Sequence, residues 1–158
     1  MKFSTKEDIE APIDAVFAML SEFEVFERAA MRRGAEVQRV DDKTTPAPGM
    51  TWRSAFNLRG KRREVEVEII TYDRPKEMVF ECKSEGLLSM MPIELVALSK
   101  DRTRMTVVID IKPLNLSARL LVQSLKLGKA SLTKKFKLRV AEFAKSMEER
   151  YEVGPGGA

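Results

Sequence analysis

The feature that most constrains this chain is a run of alternating residues at its centre. Glu64, Glu66 and Glu68 are interleaved with Val65, Val67 and Ile69. A period of two puts the carboxylates on one side of an extended strand and the aliphatic groups on the other. Such a strand needs a dry neighbour on one face and water on the other, as in a one-sided antiparallel sheet. The same alternation recurs on both sides of it. Met50, Trp52, Ser54, Phe56 and Leu58 alternate with Thr51, Arg53, Ala55, Asn57 and Arg59 before the turn at Gly60. Met78, Phe80, Cys82 and Ser84 oppose Val79, Glu81, Lys83 and Glu85. Ile93, Leu95 and Ala97 form another strand, and Met105, Val107, Ile109 and Ile111 a further one. Leu87 to Pro92 reads as a less regular apolar link between strands. With a weak strand at Glu36 to Asp41, residues 35 to 112 predict six strands joined by short turns, an antiparallel meander.

Helical signals flank the meander. Residues 2–10 read as a strand that stops at Ala11-Pro12, after which Ile13, Val16, Phe17 and Leu20 recur at helical spacing. Ser21 is placed to cap a second short helix in which Phe23, Phe26 and Ala30 share a face, with Gly34 closing it. Beyond Pro113, Asn115 or Ser117 starts one long helix to about Tyr151. Leu114, Ala118, Leu121, Leu125, Leu132, Phe136, Phe143 and Met147 fall on a single stripe of it. At 1.5 Å per residue it spans about 50 Å, with Gly128 placed to bend it. Residues 1–151 are expected to form one domain and residues 152–158, rich in Gly and Pro, a disordered tail.

Composition narrows the chemistry. The chain has no histidine, so Ser-His and Cys-His nucleophilic pairs and His-based metal sites are impossible. The single cysteine, Cys82, cannot form an internal disulfide, and the N-terminus lacks the apolar core of a signal peptide, so a cytoplasmic location is expected. No cofactor or metal is expected, because phosphate-binding glycine loops and metal-ligand clusters are missing from the sequence.

A seven-stranded sheet that twists and curls around a long helix leaves a concave space that three helices do not obviously fill. The expected result is an apolar hollow between sheet and last helix. Its wall is assigned to Trp52, Ser54 and Phe56, to Val67, and to Met78, Phe80 and Cys82. Ile93, Leu95, Val107 and Ile109 continue it, and Leu121, Leu125 and Leu132 close it from the helix. Apolar walls with a few polar groups are the usual make-up of small-molecule sites. The same residues would also serve as an ordinary core.

The segment Ile9-Glu10-Ala11-Pro12-Ile13-Asp14-Ala15-Val16-Phe17-Ala18-Met19-Leu20-Ser21-Glu22-Phe23-Glu24 resembles the opening of the START/Bet v1-like superfamily, in particular its polyketide cyclase/dehydrase and lipid-transport group. The resemblance implies an α+β helix-grip fold over residues 1–151. In that fold a curved seven-stranded antiparallel sheet wraps a long C-terminal helix, with two short helices after the first strand. It implies binding or transport of a hydrophobic small molecule (a lipid, a quinone or a polyketide-like ring compound) and assigns no catalytic residue. A cyclase or dehydratase is the alternative, with Glu7, Ser54, Cys82 and Ser84 as proton-handling candidates. A third reading rests on the last helix, where Leu116, Leu120, Leu127 and Leu138 form a second apolar stripe beside Arg119, Lys126, Lys134 and Lys137. No acid lies between Asp110 and Glu142. Leucines rimmed by lysines suit an anionic membrane, a protein or a ribosomal partner, unless neighbouring elements cover them. Direct nucleic-acid binding is not expected, since exposed aromatics do not interleave these cations.

Overall fold

The computed structural model, described here for residues 1–153, places the alternating strands side by side in one antiparallel sheet. The strands are β1 (Lys2–Ile9), β2 (Glu36–Arg39), β3 (Thr51–Leu58), β4 (Lys61–Asp73), β5 (Glu77–Ser84), β6 (Leu87–Ser99) and β7 (Arg102–Pro113). Their order across the sheet is β1-β7-β6-β5-β4-β3-β2. Only β1 departs from sequence order: after it the chain leaves the sheet through helices α1 (Ile13–Leu20) and α2 (Phe23–Arg32) and returns at the far edge. Two helices, α3 (Leu116–Lys126) and α4 (Lys129–Val153), complete the chain. The first two residues assigned to the tail, Glu152 and Val153, belong to α4, and the rest of that tail lies outside the described residues. No helix among the described residues is long and apolar enough to cross a membrane.

The register shows how the period-two pattern becomes two faces. Trp52 pairs with Val67, Val67 with Cys82, Met78 with Ile93 and Ile93 with Val107, so the apolar set lies on one face, the inner one. Arg53 pairs with Glu66 and Glu66 with Lys83 on the outer face. A bulge between Ile69 and Thr71 adds one residue to β4. Without it Tyr72 would face outward; with it Tyr72 pairs with Met78 on the inner face. There its ring lies 5.0 Å from that of Phe17 and its hydroxyl 2.7 Å from Ser21 Oγ. Ser21 is thereby committed elsewhere. It does not cap α2, whose N-cap is Glu22 without a side-chain bond, because its hydroxyl donates to the Phe17 carbonyl at 2.9 Å.

Two further expectations change. Leu87 to Pro92 is not a link: β6 is continuous over 13 residues in the interior of the sheet. Proline has no N–H to give a ladder, which is the sequence argument against a strand there. The β6–β7 ladder absorbs it as a gap, running to Met90↔Asp110 and resuming in the same register at Ile93↔Val107. The last helix is also two helices. Leu127 and Gly128 donate to Ser124 and Leu125, and a new ladder begins at Leu132 to Gly128. Gly128, the least helix-favouring residue in the run, sits at this break. Asn115 caps α3 as expected, its Oδ1 accepting the Ala118 N–H at 2.8 Å. Gly86 supports this start. It has φ +79° in the β5–β6 turn, and a Cβ there would collide with the Asn115 side chain.

α4 packs along β1, with Phe136 5.9 Å from Phe3, while α3 lies over β7. The best-filled core gathers Ile9, Phe17, Ile69, Met78, Met105 and Met147, each at most 1% exposed. Thr103, buried among them, donates its hydroxyl proton to the Ala11 carbonyl at 2.8 Å.

Candidate ligand-binding site

Burial along the inner face is graded. In β7, Thr103, Met105 and Val107 are buried, whereas Ile109 and Ile111 are half-buried. β6 passes from buried Leu95 and Ile93 to half-buried Met91, Ser89 and Leu87. β5 passes from Met78 to half-buried Phe80, Cys82 and Ser84, and β3 from Trp52 to Ser54 and Phe56. Each strand is therefore sealed at one end and accessible toward the other. The sealed end lies under α1 and the C-terminal half of α4. The opposite end lies toward α3, whose Leu121 and Leu125 are likewise half-buried.

Between these ends, α2 roofs an apolar cavity of about 260 Å3. Phe23, Phe26 and Ala30 come down from the helix, and Trp52, Val67 and Phe80 rise from the sheet. The rings are arranged edge to face: Phe23 lies 5.2 Å from Trp52 and 6.2 Å from Phe80, both near perpendicular. This is the favourable geometry for aromatic quadrupoles. Glu27 supplies the one charged side chain of the lining and Ser54 the one hydroxyl. The Trp52 Nε1–H is buried without a hydrogen-bond partner, a cost the fold carries at the cavity wall.

Trp52 is held from the other side by charge. The Arg39 guanidinium lies over its ring at 5.6 Å and is fixed by a bidentate pair with Asp41, both contacts 2.7 Å. Asp41 also accepts the Thr51 and Lys43 N–H groups, each at 2.8 Å. The Arg39 bond, with those two N–H groups, holds the Asp41 carboxyl well below the usual carboxylate range despite its burial. The same bond raises the Arg39 pKa, with Glu27 and Glu24 adding to the effect.

Of the wall assigned from sequence, Trp52, Ser54, Val67, Phe80 and Ile93 line this cavity. Met78, Leu95 and Val107 are buried in the sealed core instead. Phe56, Cys82, Ile109, Leu121, Leu125 and Leu132 are half-buried and outside the cavity lining. This cavity lies under α2 and is open on one side. Leu20, Phe23, Phe26, Glu27, Ala30, Val37 and Met91 were missed. The shared face of Phe23, Phe26 and Ala30 was legible, but a ten-residue helix does not announce what it covers. Met91 was hidden in the segment read as a link.

The proton-handling candidates are dispersed. Ser84 Oγ donates to the Glu64 carbonyl at 2.7 Å. Burial, aided by the Glu81 charge, pushes the Cys82 thiol up to about 11, so it is protonated at neutral pH. Glu7 pairs with Met105 on the inner face of β1, away from the cavity lining. A second, open depression of about 1100 Å3 is lined by Arg53, Arg62, Glu64, Glu66 and Lys83, all on the outer face. Its lining is mixed, since Val37, Ser54, Val65, Leu87 and Leu114 join these charges, and Arg62 is bonded to Glu36 at 2.7 Å.

A sheet gripping helices around an apolar interior defines the START/Bet v1-like helix-grip fold, and this chain has it. It superposes on the Zhui aromatase/cyclase from Streptomyces sp. R1128 with a TM-score of 0.64 at 13% identity, covering 96% of this chain and 95% of that one. A norcoclaurine synthase point mutant of Thalictrum flavum, in complex with a transition-state analogue, gives 0.63 at 13% identity, covering 92% and 94%. A START superfamily protein from Mycobacterium smegmatis gives 0.55 at 12%, covering 89% and 99%. At such identities the likeness establishes the fold and leaves the chemistry to this chain's own residues. No protein-family model matches the sequence, and no curated protein matches it either.

Proposed function

We propose that the protein binds a hydrophobic, uncharged small molecule, a lipid or a quinone- or polyketide-like ring compound, in the cavity beneath α2. The observation that carries this reading is the cavity lining: four aromatic rings, from Phe23, Phe26, Trp52 and Phe80, around about 260 Å3 with one hydroxyl and one carboxylate. Such a wall rewards apolar area and flat rings. Glu27 opposes a second negative charge, which disfavours free fatty acids against neutral ligands. The unpartnered Trp52 N–H supplies a donor for a carbonyl or ether oxygen once a guest shifts the ring.

Binding is better supported than catalysis. A cyclase or dehydratase needs an acid or base within reach of the substrate proton. Of its four candidates only Ser54 lines the cavity, and the Cys82 thiol is protonated. The half-buried free thiol also fits a reducing, cytoplasmic setting.

Trp52 is the single tryptophan and forms part of the wall, so its fluorescence reports occupancy directly. A naphthoquinone or a diacylglycerol titrated into the protein is expected to quench or shift this emission saturably. Native mass spectrometry of freshly purified protein is expected to show a co-purifying apolar mass. Ala30→Phe, which fills the cavity from α2 without adding a second indole, is expected to abolish both signals while leaving the fold intact by circular dichroism. Unsaturable emission changes together with a bare protein mass would overturn the reading.

A further inference from the structure

α3 is apolar on two opposite faces. Ala118 and Val122 are buried against the domain, with Leu121 and Leu125 half-buried beside them. At about 100° per residue, Leu116, Leu120 and Leu127 lie within about 40° of one another on the far side of the same helix. Leu127 belongs to this stripe because its backbone, at the C-cap of α3, is still helical. These three leucines are 73%, 59% and 92% exposed, so no neighbouring element covers them. Leu127 lies at the break between α3 and α4.

The charge around this stripe has one sign. Arg119 and Lys126 flank it on α3, Lys129 follows the break, and Lys134, Lys135 and Lys137 continue along α4, all exposed. Among the described residues none of these six cations forms an ion pair. The outer face of α4 adds Leu138, 57% exposed, between them. In a symmetric dimer built on this face, cations would meet cations, which works against a second copy. A fluid sheet of negative charge with an apolar layer beneath it matches both properties at once: leucines enter the acyl boundary while lysine stems lie along it and their ammonium groups stay at the headgroups.

We infer that the α3–α4 break docks on an anionic lipid bilayer, inserting Leu127 with Leu116 and Leu120 between headgroups held by Lys126, Lys129 and Arg119. This site is distinct from the cavity beneath α2, and it complements the proposed binding reading by placing a carrier where apolar guests reside.

Vesicle flotation tests it on the full chain. With phosphatidylcholine vesicles containing phosphatidylserine the protein is expected to float, with pure phosphatidylcholine to remain at the bottom, and added salt is expected to release it. Leu116→Ser/Leu120→Ser/Leu127→Ser is expected to weaken binding about tenfold or more, since the apolar anchor is gone. Lys126→Glu/Lys129→Glu is expected to abolish flotation. Both variants change only exposed side chains, and Trp52 emission with added naphthoquinone checks that each keeps the binding fold. Absence of wild-type flotation with anionic vesicles, or flotation that neither variant alters, would overturn the inference. So would a concentration-dependent dimer in sedimentation that Leu127→Ser dissociates, because the stripe would then be an interface between copies. Loss of flotation leaves the cavity reading standing when Trp52 emission still responds, so the two can fail separately.

Discussion

The two ends of the same inner face differ although the same strands supply both. At the sealed end, Ile69, Met78, Met105 and Met147 interlock with Ile9 and Phe17, with essentially no surface left to water. At the other end, residues equally apolar by type, Phe56, Ile109, Leu121 and Leu125, are only half-buried. The sequence pattern does not change between them; the covering does. α1 and the last turns of α4 lie on the sealed end, whereas α3 is an eleven-residue helix that begins and ends without reaching across the sheet. Alternation determines which side chains face inward. The length and placement of the helices determine whether those side chains are packed or left to line a space.

The largest effect that tests this contrast is on stability. Met147→Ala removes a side chain that is 0% exposed in the filled core and is expected to cost about 3 kcal/mol. Leu125→Ala, on a half-buried position of α3, is expected to cost about 1 kcal/mol or less. Urea midpoints at constant slope measure both. Equal losses would mean that the open end is as tightly packed as the sealed one, and the contrast would disappear.

What the sequence made legible follows the same division. Strand periodicity was strong enough to give the strands, the antiparallel meander and the inward set, because side-chain alternation is a local property, but it did not say that β1 pairs with β7. Trp52, Val67 and Phe80 were therefore placed on the wall from sequence alone. The first half of β6, Leu87 to Pro92, was not legible as strand, because proline's missing N–H is a local feature, while the gap in the β6–β7 ladder that tolerates it is a tertiary one. The position of the cavity was not legible for a related reason. It depends on how α2 sits over the sheet, where Phe23 meets Trp52 of β3 and Phe80 of β5. None of these pairs is near in sequence. Leu127, by contrast, was already on the outer stripe by helical spacing, and its 92% exposure agrees with that place.

A smaller effect concerns the support behind the cavity wall. Asp41 fixes Arg39 over Trp52 through two 2.7 Å contacts and accepts two backbone N–H groups. Asp41→Asn is expected to cost about 2 kcal/mol at neutral pH, the range for hydrogen bonds to a charged group. The folded-state pKa of Asp41 is depressed below its ordinary 3.8, so the carboxylate contributes stability above that value and loses it as pH falls through the folded pKa. Wild type is therefore expected to weaken in acid more steeply than the variant, with the two curves converging at low pH. A constant difference down to low pH would show that Asp41 acts by shape rather than charge, and Arg39 would not be an electrostatic brace for the cavity.

The smallest effect reads the open end directly. Cys82 lies on the inner face beyond Phe80, half-buried, with its thiol pushed up to about 11 from an ordinary 9.0 by burial and by Glu81. A shift of that size lowers the thiolate fraction near neutral pH about a hundredfold, partly offset by the greater nucleophilicity of a more basic sulfur. Iodoacetamide is therefore expected to alkylate the folded protein roughly tenfold more slowly than the urea-unfolded chain. Because the thiol pKa is raised on folding, stability falls as pH rises above about 8.5, where only the unfolded thiol ionises. Alkylation as fast as in the unfolded chain would mean that water reaches Cys82 freely, so the burial gradient would end in open solvent rather than in a lined space. Repeating the reaction with diacylglycerol bound, a guest that does not itself add thiols, decides how far a guest extends. Protection of Cys82 would show that it reaches past Phe80 toward α3, and an unchanged rate would confine it to the chamber formed by α2 and Trp52.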